Sequence, residues 1–319
     1  MSQDRILPGI VLMLAFCVLA PLLDTCAKLA AEGGIPVGQI TTARFLVQTL
    51  LMLPIVLAMG HSLRMTPRAL VFVTLRAVML VISTFTFVSG VKVMPLADTL
   101  AIVFVEPFIL LFLGWLIFGD RIGPRRIVAS AVGFVGVLLV IQPAFDTFGL
   151  VALWPLGTAL SFSFYMLVTR AISAYMHPVP MQLHTSWTGL LICLPLMMAF
   201  DGGPVPELDP IWPMGLMWLW LLGVGVWASA SHMCMTYALR FAPAATLAPL
   251  HYLEIVVAVT LGWAIFGDLP NRETMLGIVI IVASGLYVIH RERIAARQAP
   301  AQVPVPAPLS PPQAATAEG

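Results

Sequence analysis

Leu113-Gly114-Trp115-Leu116-Ile117-Phe118-Gly119-Asp120 returns later in the chain as Leu261-Gly262-Trp263-Ala264-Ile265-Phe266-Gly267-Asp268. The offset between Trp115 and Trp263 is 148 residues, and at that same offset Pro95 matches Pro243, Ala97 matches Ala245 and Glu106 matches Glu254. Leu-Gly or Phe-Gly pairs alone recur by chance. A shared run with outlying matches at one fixed offset is an internal duplication.

Both copies lie in apolar sequence. Hydrophobic residues make up 60% of the 319 positions and charged residues only 10%, against about 25% charged in an ordinary soluble domain. The apolar residues come in blocks of roughly the 18 or more that a bilayer-spanning helix needs, not at a strand or surface-helix period. About ten such spans are expected, near residues 7–29, 37–59, 69–90, 96–118, 126–142, 150–172, 180–200, 213–237, 244–266 and 274–290. The breaks carry turn residues: Gly33-Gly34-Ile35-Pro36, Thr66-Pro67, Gly123-Pro124, Gln142-Pro143, His177-Pro178 and Asp201-Gly202-Gly203-Pro204. Short breaks make sequence neighbours antiparallel. Arg5 followed by Ile6–Ala20 looks like a signal peptide, but the apolar run continues to Leu23 and further spans follow, so an uncleaved first span is expected.

Positive charge sets orientation. With the N-terminus in the cytoplasm, Arg5, Arg64, Arg68, Arg121, Arg125, Arg126, Arg170, Arg240, Arg291, Arg293 and Arg297 fall at cytoplasmic ends, while the far side receives Lys92 and Arg272, with Lys28 near the end of the first span. The acids Glu32, Asp146, Asp201, Glu207, Asp209, Asp268 and Glu273 collect on the far side. Both termini are therefore expected in the cytoplasm, and the protein in the inner (cytoplasmic) membrane. The net charge of +1, without a basic cluster, gives no footing for nucleic acid. Cys17, Cys26, Cys193 and Cys234 show no metal-ligand spacing and read as buried free thiols. The Pro- and Ala-rich stretch from Gln298 to Gly319 is expected to be disordered.

Each copy of the repeat holds five spans, and an odd number inverts the second copy relative to the first. The expected fold is an all-α integral membrane protein of ten transmembrane helices in two inverted five-helix repeats. Residues 1–6 form a cytoplasmic N-terminus, 7–142 the first repeat, 150–290 the second and 291–319 a cytoplasmic tail. Inverted repeats build secondary transporters, whose substrate site lies near the midplane between the halves.

Ten spans in two halves, each with apolar-Gly-Asp closing its fourth span, resemble the drug/metabolite transporter superfamily, specifically its EamA-type permeases. The resemblance covers the chain up to about Ile289. It implies a ten-helix inverted-repeat bundle that moves a metabolite, such as an amino acid, a nucleotide-like compound, a vitamin or a drug. This chain departs from the family's usual pattern by carrying Glu106 and Glu254 where members more often have neutral residues.

Charge at the bilayer centre costs at least about 2.5–3.5 kcal/mol on insertion scales. Such residues are therefore paired, face a cavity, or both. The candidates are Asp24, Lys28, Arg44, Arg76, Asp98, Glu106, His184, His232, His251 and Glu254. Glu106 and Glu254 form the strongest pair, at equivalent positions of the two halves. Pro107 follows Glu106, and a proline frees a backbone carbonyl, which in a membrane is tolerated where it lines a cavity. These carboxylates bind a cationic substrate group or carry a coupling proton, or else pair structurally with Arg44 or Arg76. His251 and Glu254 share one helix face at i, i+3, which fits a hydrogen-bonded pair better than a metal site. Asp24 and Lys28, at i, i+4, read as a local ion pair or as a gate. Arg44 and Arg76 suit a substrate carboxylate or phosphate, or neutralise Glu106. His184 and His232 read as satisfied polar contacts. Trp227, with Tyr165 or Phe162, packs helices or stacks on a ring-bearing substrate.

No HExxH, GxSxG or nucleotide-binding loop is present, so neither an enzyme nor an ATP-driven pump is expected. No cofactor or metal is expected. The reading is a secondary transporter, either proton-coupled or a facilitated exchanger, for an amino-acid-like, adenosyl or vitamin substrate, acting as a monomer or homodimer in the lipid bilayer. Drug or toxic-compound efflux is the alternative within transporters, and a membrane-embedded enzyme without a recognisable motif the alternative outside them.

Overall fold

The computed structural model describes residues 6–118, 124–172, 176–241, 250 and 253–298. Their regular elements are all helices, with no strand among these residues. The helices are α1 (Ile6–Glu32), α2 (Val37–Ala58), α3 (Pro67–Val91), α4 (Leu96–Val103), α5 (Glu106–Phe118), α6 (Pro124–Phe148), α7 (Leu153–Ile172), α8 (Pro178–Ala199), α9 (Met217–Phe241), α10 (Leu253–Leu261) and α11 (Arg272–Gln298). Starts follow local chemistry. Thr66 caps α3 by accepting the Ala69 N–H at 3.3 Å, with Pro67 in the first turn. Pro178 opens α8 in the same way.

Among the described residues, six stretches are long and apolar enough to cross a bilayer: Leu7–Glu32, Val37–Ala58, Pro67–Val91, Leu96–Ile117, Ala131–Thr169 and Met217–Ala238. Helices α8 and α11 lie over the spans expected at 180–200 and 274–290, and α10 lies within the one expected at 244–266, but none of the three is among those six. The break expected at Gln142-Pro143 does not occur. Helix α6 runs through Pro143 to Phe148, and the chain turns instead at Gly149, whose φ of 62° only glycine adopts readily. A proline ring is tolerated here because lost backbone bonds in a membrane helix can be met by neighbouring groups.

The fourth expected span is two helices. Helix α4 ends at Val103, and α5 restarts at Glu106 after a turn at Phe104-Val105. Pro107 has no N–H, and its ring would strike the Val103 carbonyl in a continuous helix. Glu106 thus occupies the first turn of a helix that begins inside the bundle, where a carboxylate meets the positive end of the helix dipole. Glu254 likewise lies in the first turn of α10. At its far end α10 widens into a π turn, Gly262–Phe266, closed by Gly267 at φ 73°. The Asp268 N–H returns to the Gly262 carbonyl at 3.1 Å. The repeated Phe-Gly-Asp is therefore, in the second copy, a helix stop that places an aspartate. The first copy's Gly119-Asp120, like His251 and the tail from 299 to 319, lies outside the described residues.

The helices that pack most extensively join the first 142 residues to the last 170. Helix α1 packs on α9, α3 on α7, α6 on α11, and α2 on both α8 and α9. At α6–α11 the approach is backbone to backbone. A Cβ on Gly136 would lie 2.9 Å from the Gly277 oxygen, and one on Gly277 2.6 Å from the Gly136 oxygen.

Candidate functional site

A cavity opens where α1, α2, α3, α4, α5, α7, α9 and α10 meet, with about 780 Å³ of non-protein space counted through its open mouth. Asp24, Arg44, Glu106, His232 and Glu254 reach its wall, and all are at most 9% exposed. Phe16, Phe87, Phe104 and Phe162 supply apolar ring surface between them. Three carboxylates and one guanidinium thus face one small space from both halves of the sequence. Removing each such charge from water costs several kcal/mol, and a fold retains that cost where the charges have work to do.

Arg44 is held by neutral groups. Its Nη1 donates to Thr84 Oγ1 at 2.5 Å and its Nη2 to His232 Nε2 at 2.8 Å. No carboxylate among the described residues lies within ion-pair distance of Arg44 or Arg76. Guanidinium N–H groups only donate, so His232 Nε2 accepts and the ring proton sits on Nδ1. Nδ1–H then donates to Tyr165 Oη at 3.1 Å. The same oxygen accepts from Arg76 Nη2 at 2.5 Å. Four buried side chains form one hydrogen-bonded file, Arg44–His232–Tyr165–Arg76, leading away from the cavity.

Six residues singled out in the sequence meet at the cavity: Asp24, Arg44, Glu106, Phe162, His232 and Glu254. Tyr165 and Arg76 stand behind it, both 0% exposed. Trp227 packs half-buried in a cluster with Leu23, Ala27 and Val224 and does not line the cavity. The local Asp24–Lys28 ion pair is not formed. Lys28 Nζ turns away from Asp24 to Asp268 Oδ2 at 3.3 Å, Glu32 Oε1 at 3.5 Å and the Met94 carbonyl at 3.0 Å. A lysine stem extends toward the helix end that brings its ammonium to polar groups, and here three such groups wait. Asp98 feels both Lys28 and Asp268. His184 is 8% exposed and away from the cavity. His232, read from sequence as a satisfied polar contact, is satisfied and also lines the cavity. The aromatic walls Phe16 and Phe104 carried no signal, because a phenylalanine in an apolar helix looks the same facing lipid or a cavity.

A bundle of apolar helices around a buried, charged cavity defines a membrane protein that handles small polar solutes. The chain belongs to the EamA-like transporter family, which matches residues 7–142 and again residues 149–289. It is 28% identical to a riboflavin transporter of Rhizobium johnstonii over 68% of this chain and 69% of that protein. It is 23% identical to a riboflavin transporter of Vibrio cholerae over 90% and 94%, and 24% identical to an S-adenosylmethionine uptake transporter of Rickettsia prowazekii over 78% and 82%. A solved crystal structure shares the fold with a TM-score of 0.65 at 17% identity, over 92% of this chain and 99% of its own. The chain is thus a multi-pass membrane transporter of the EamA family for small metabolites.

Proposed function

We propose that the protein moves a ring-bearing organic metabolite across the cytoplasmic membrane by alternating access between two inverted five-helix halves, with both termini in the cytoplasm. The observation that carries this reading is the cavity wall, where Asp24, Arg44 and Glu106 from the first family match meet His232 and Glu254 from the second. The helix contacts support the inverted pairing. Exchanging α1 with α7, α2 with α8, α3 with α9, α5 with α10 and α6 with α11 turns the α1–α9 contact into α7–α3. It turns α1–α10 into α7–α5 and α2–α9 into α8–α3, and leaves α2–α8 and α6–α11 unchanged; every one of these contacts is present.

Within the cavity, Arg44 binds a substrate acceptor, the phenylalanines flank its ring, and Glu106 and Glu254 bind its donors or exchange a proton for it. Relatives named for riboflavin and S-adenosylmethionine, both ring-bearing and rich in polar groups, make these the first substrates to test. The experiment is counterflow into liposomes holding the purified protein, with labelled riboflavin, adenosyl compounds, amino acids and purines. Saturable exchange of one class is the expected result. No exchange of any class by a folded, inserted preparation contradicts the reading.

A further inference from the structure

Arg76 is a cation that the cavity does not use. It is 0% exposed, and every partner it has is neutral. Nε donates to Thr169 Oγ1 at 2.8 Å, Nη1 to Thr185 Oγ1, and Nη2 to Tyr165 Oη at 2.5 Å and Gln182 Oε1 at 3.2 Å. The hydroxyl protons of Thr169 and Thr185 are committed to the carbonyls of Tyr165 and Met181. Tyr165 Oη accepts from both Arg76 and His232, which leaves its own proton to give. Gln182 is 1% exposed, and with its oxygen on Arg76 its Nε2 amide has no acceptor. The cluster therefore holds a positive charge, a hydroxyl proton and an amide group to donate, with no anionic acceptor among the described residues. Buried donors and charge demand partners, and a guanidinium fork beside further donors matches carboxylate or phosphate oxygens.

We infer that Arg76, Tyr165 and Gln182 form a second binding station for an anionic group, a carboxylate or phosphate, separate from the cavity at Arg44 and joined to it through His232. Arg76 lies nine residues into α3 and Gln182 four residues into α8, while Thr169 lies three residues before the end of α7. At a rise of about 1.5 Å per residue, all three sit between the cavity and the end of the bundle opposite Asp268. Under the transport reading, on which the identity of the anion rests, this is the cytoplasmic side. The station receives the anionic end of the substrate after the cavity releases it. A lipid headgroup phosphate offers the same chemistry.

The test is thermal unfolding of the full chain in nanodiscs of phosphatidylcholine, as sodium phosphate or sodium acetate replaces chloride at constant ionic strength. A saturable rise in Tm is expected, with the half-saturating concentration at least ten-fold higher in Gln182→Leu and in Tyr165→Phe. These variants carry the test because Arg76→Met removes all four hydrogen bonds and can fail to fold. No anion-specific rise in the parent protein, or an equal rise in both variants, overturns the inference. Discs containing phosphatidylglycerol separate the sources. If a headgroup occupies the station, the parent is already stabilised over the variants and phosphate adds nothing. If a soluble anion does, the phosphate response persists. The readout is binding, so a failed counterflow assay would remove the transport reading and leave this result standing.

Discussion

Lys28 Nζ lies 3.3 Å from Asp268 Oδ2, an ion pair that ties the upper part of α1 to the turn after α10. Asp24, one helical turn away on α1, lines the cavity. The ion pair joins the two family-matched halves about one helical turn along α1 from the cavity, and under the proposed alternating access that is where a gate belongs. Lys28 is nearly buried, while Asp268 is about one-third exposed. Asp268→Asn is expected to lower stability by only about 1–2 kcal/mol after discounting for solvent screening. It is also expected to speed the labelling of an introduced Ala27→Cys by a water-soluble thiol reagent several-fold. Unchanged labelling would remove the gate.

The file of side chains from Arg44 to Arg76 passes through His232. His232→Ala strips an acceptor from Arg44 and a donor from Tyr165, leaving buried polar groups unmet, and is expected to cost about 2–4 kcal/mol. His232→Gln, which offers both an acceptor and a donor, is expected to recover part of that. Denaturant unfolding checks both, and a loss below about 0.5 kcal/mol for the alanine variant, the scale of an ordinary surface substitution, would mean the file contributes nothing.

Pro107→Ala permits a continuous helix through Phe104-Val105. Stability is expected to change by no more than about 1 kcal/mol, the entropy the unfolded chain regains without the proline offsetting the helix bond restored, while uptake falls at least ten-fold because Glu106 loses its place at a helix start. Parallel unfolding and uptake assays separate the two effects. Full uptake by a stable variant would show that the break is incidental.

At α6–α11 the prediction is purely structural. Gly277→Val places a side chain where even a Cβ lies 2.6 Å from the Gly136 oxygen. It is expected to cost about 1–3 kcal/mol through forced separation of the helices. Substrate affinity of the protein that still folds is expected to be unchanged, since neither glycine lines the cavity.

Much of this was legible in the sequence because bilayer residence makes charge conspicuous. In a chain with 10% charged residues, Asp24, Arg44, Glu106 and Glu254 stand out, and the structure gathers all four at one cavity. Pro107 announced the helix break beside Glu106. Pro143 announced one that did not come, because a proline marks a lost hydrogen bond and only the surrounding packing decides whether the helix bends or ends. The Lys28 partner was misread for a related reason. Spacing along α1 favoured Asp24, but the choice was made by Asp268, 240 residues away. His232 was undervalued because one histidine in an apolar helix has no spacing to betray it. Its partners come from α2 and α7 and are visible only in three dimensions.

Under the proposed function, one role of the cavity carboxylates is to exchange a proton for the substrate. Uptake into liposomes with an imposed pH gradient, compared with counterflow without one, tests it in the parent protein and in Glu254→Gln. The variant is expected to lose gradient-driven accumulation while retaining exchange. Accumulation equal to that of the parent protein would contradict it.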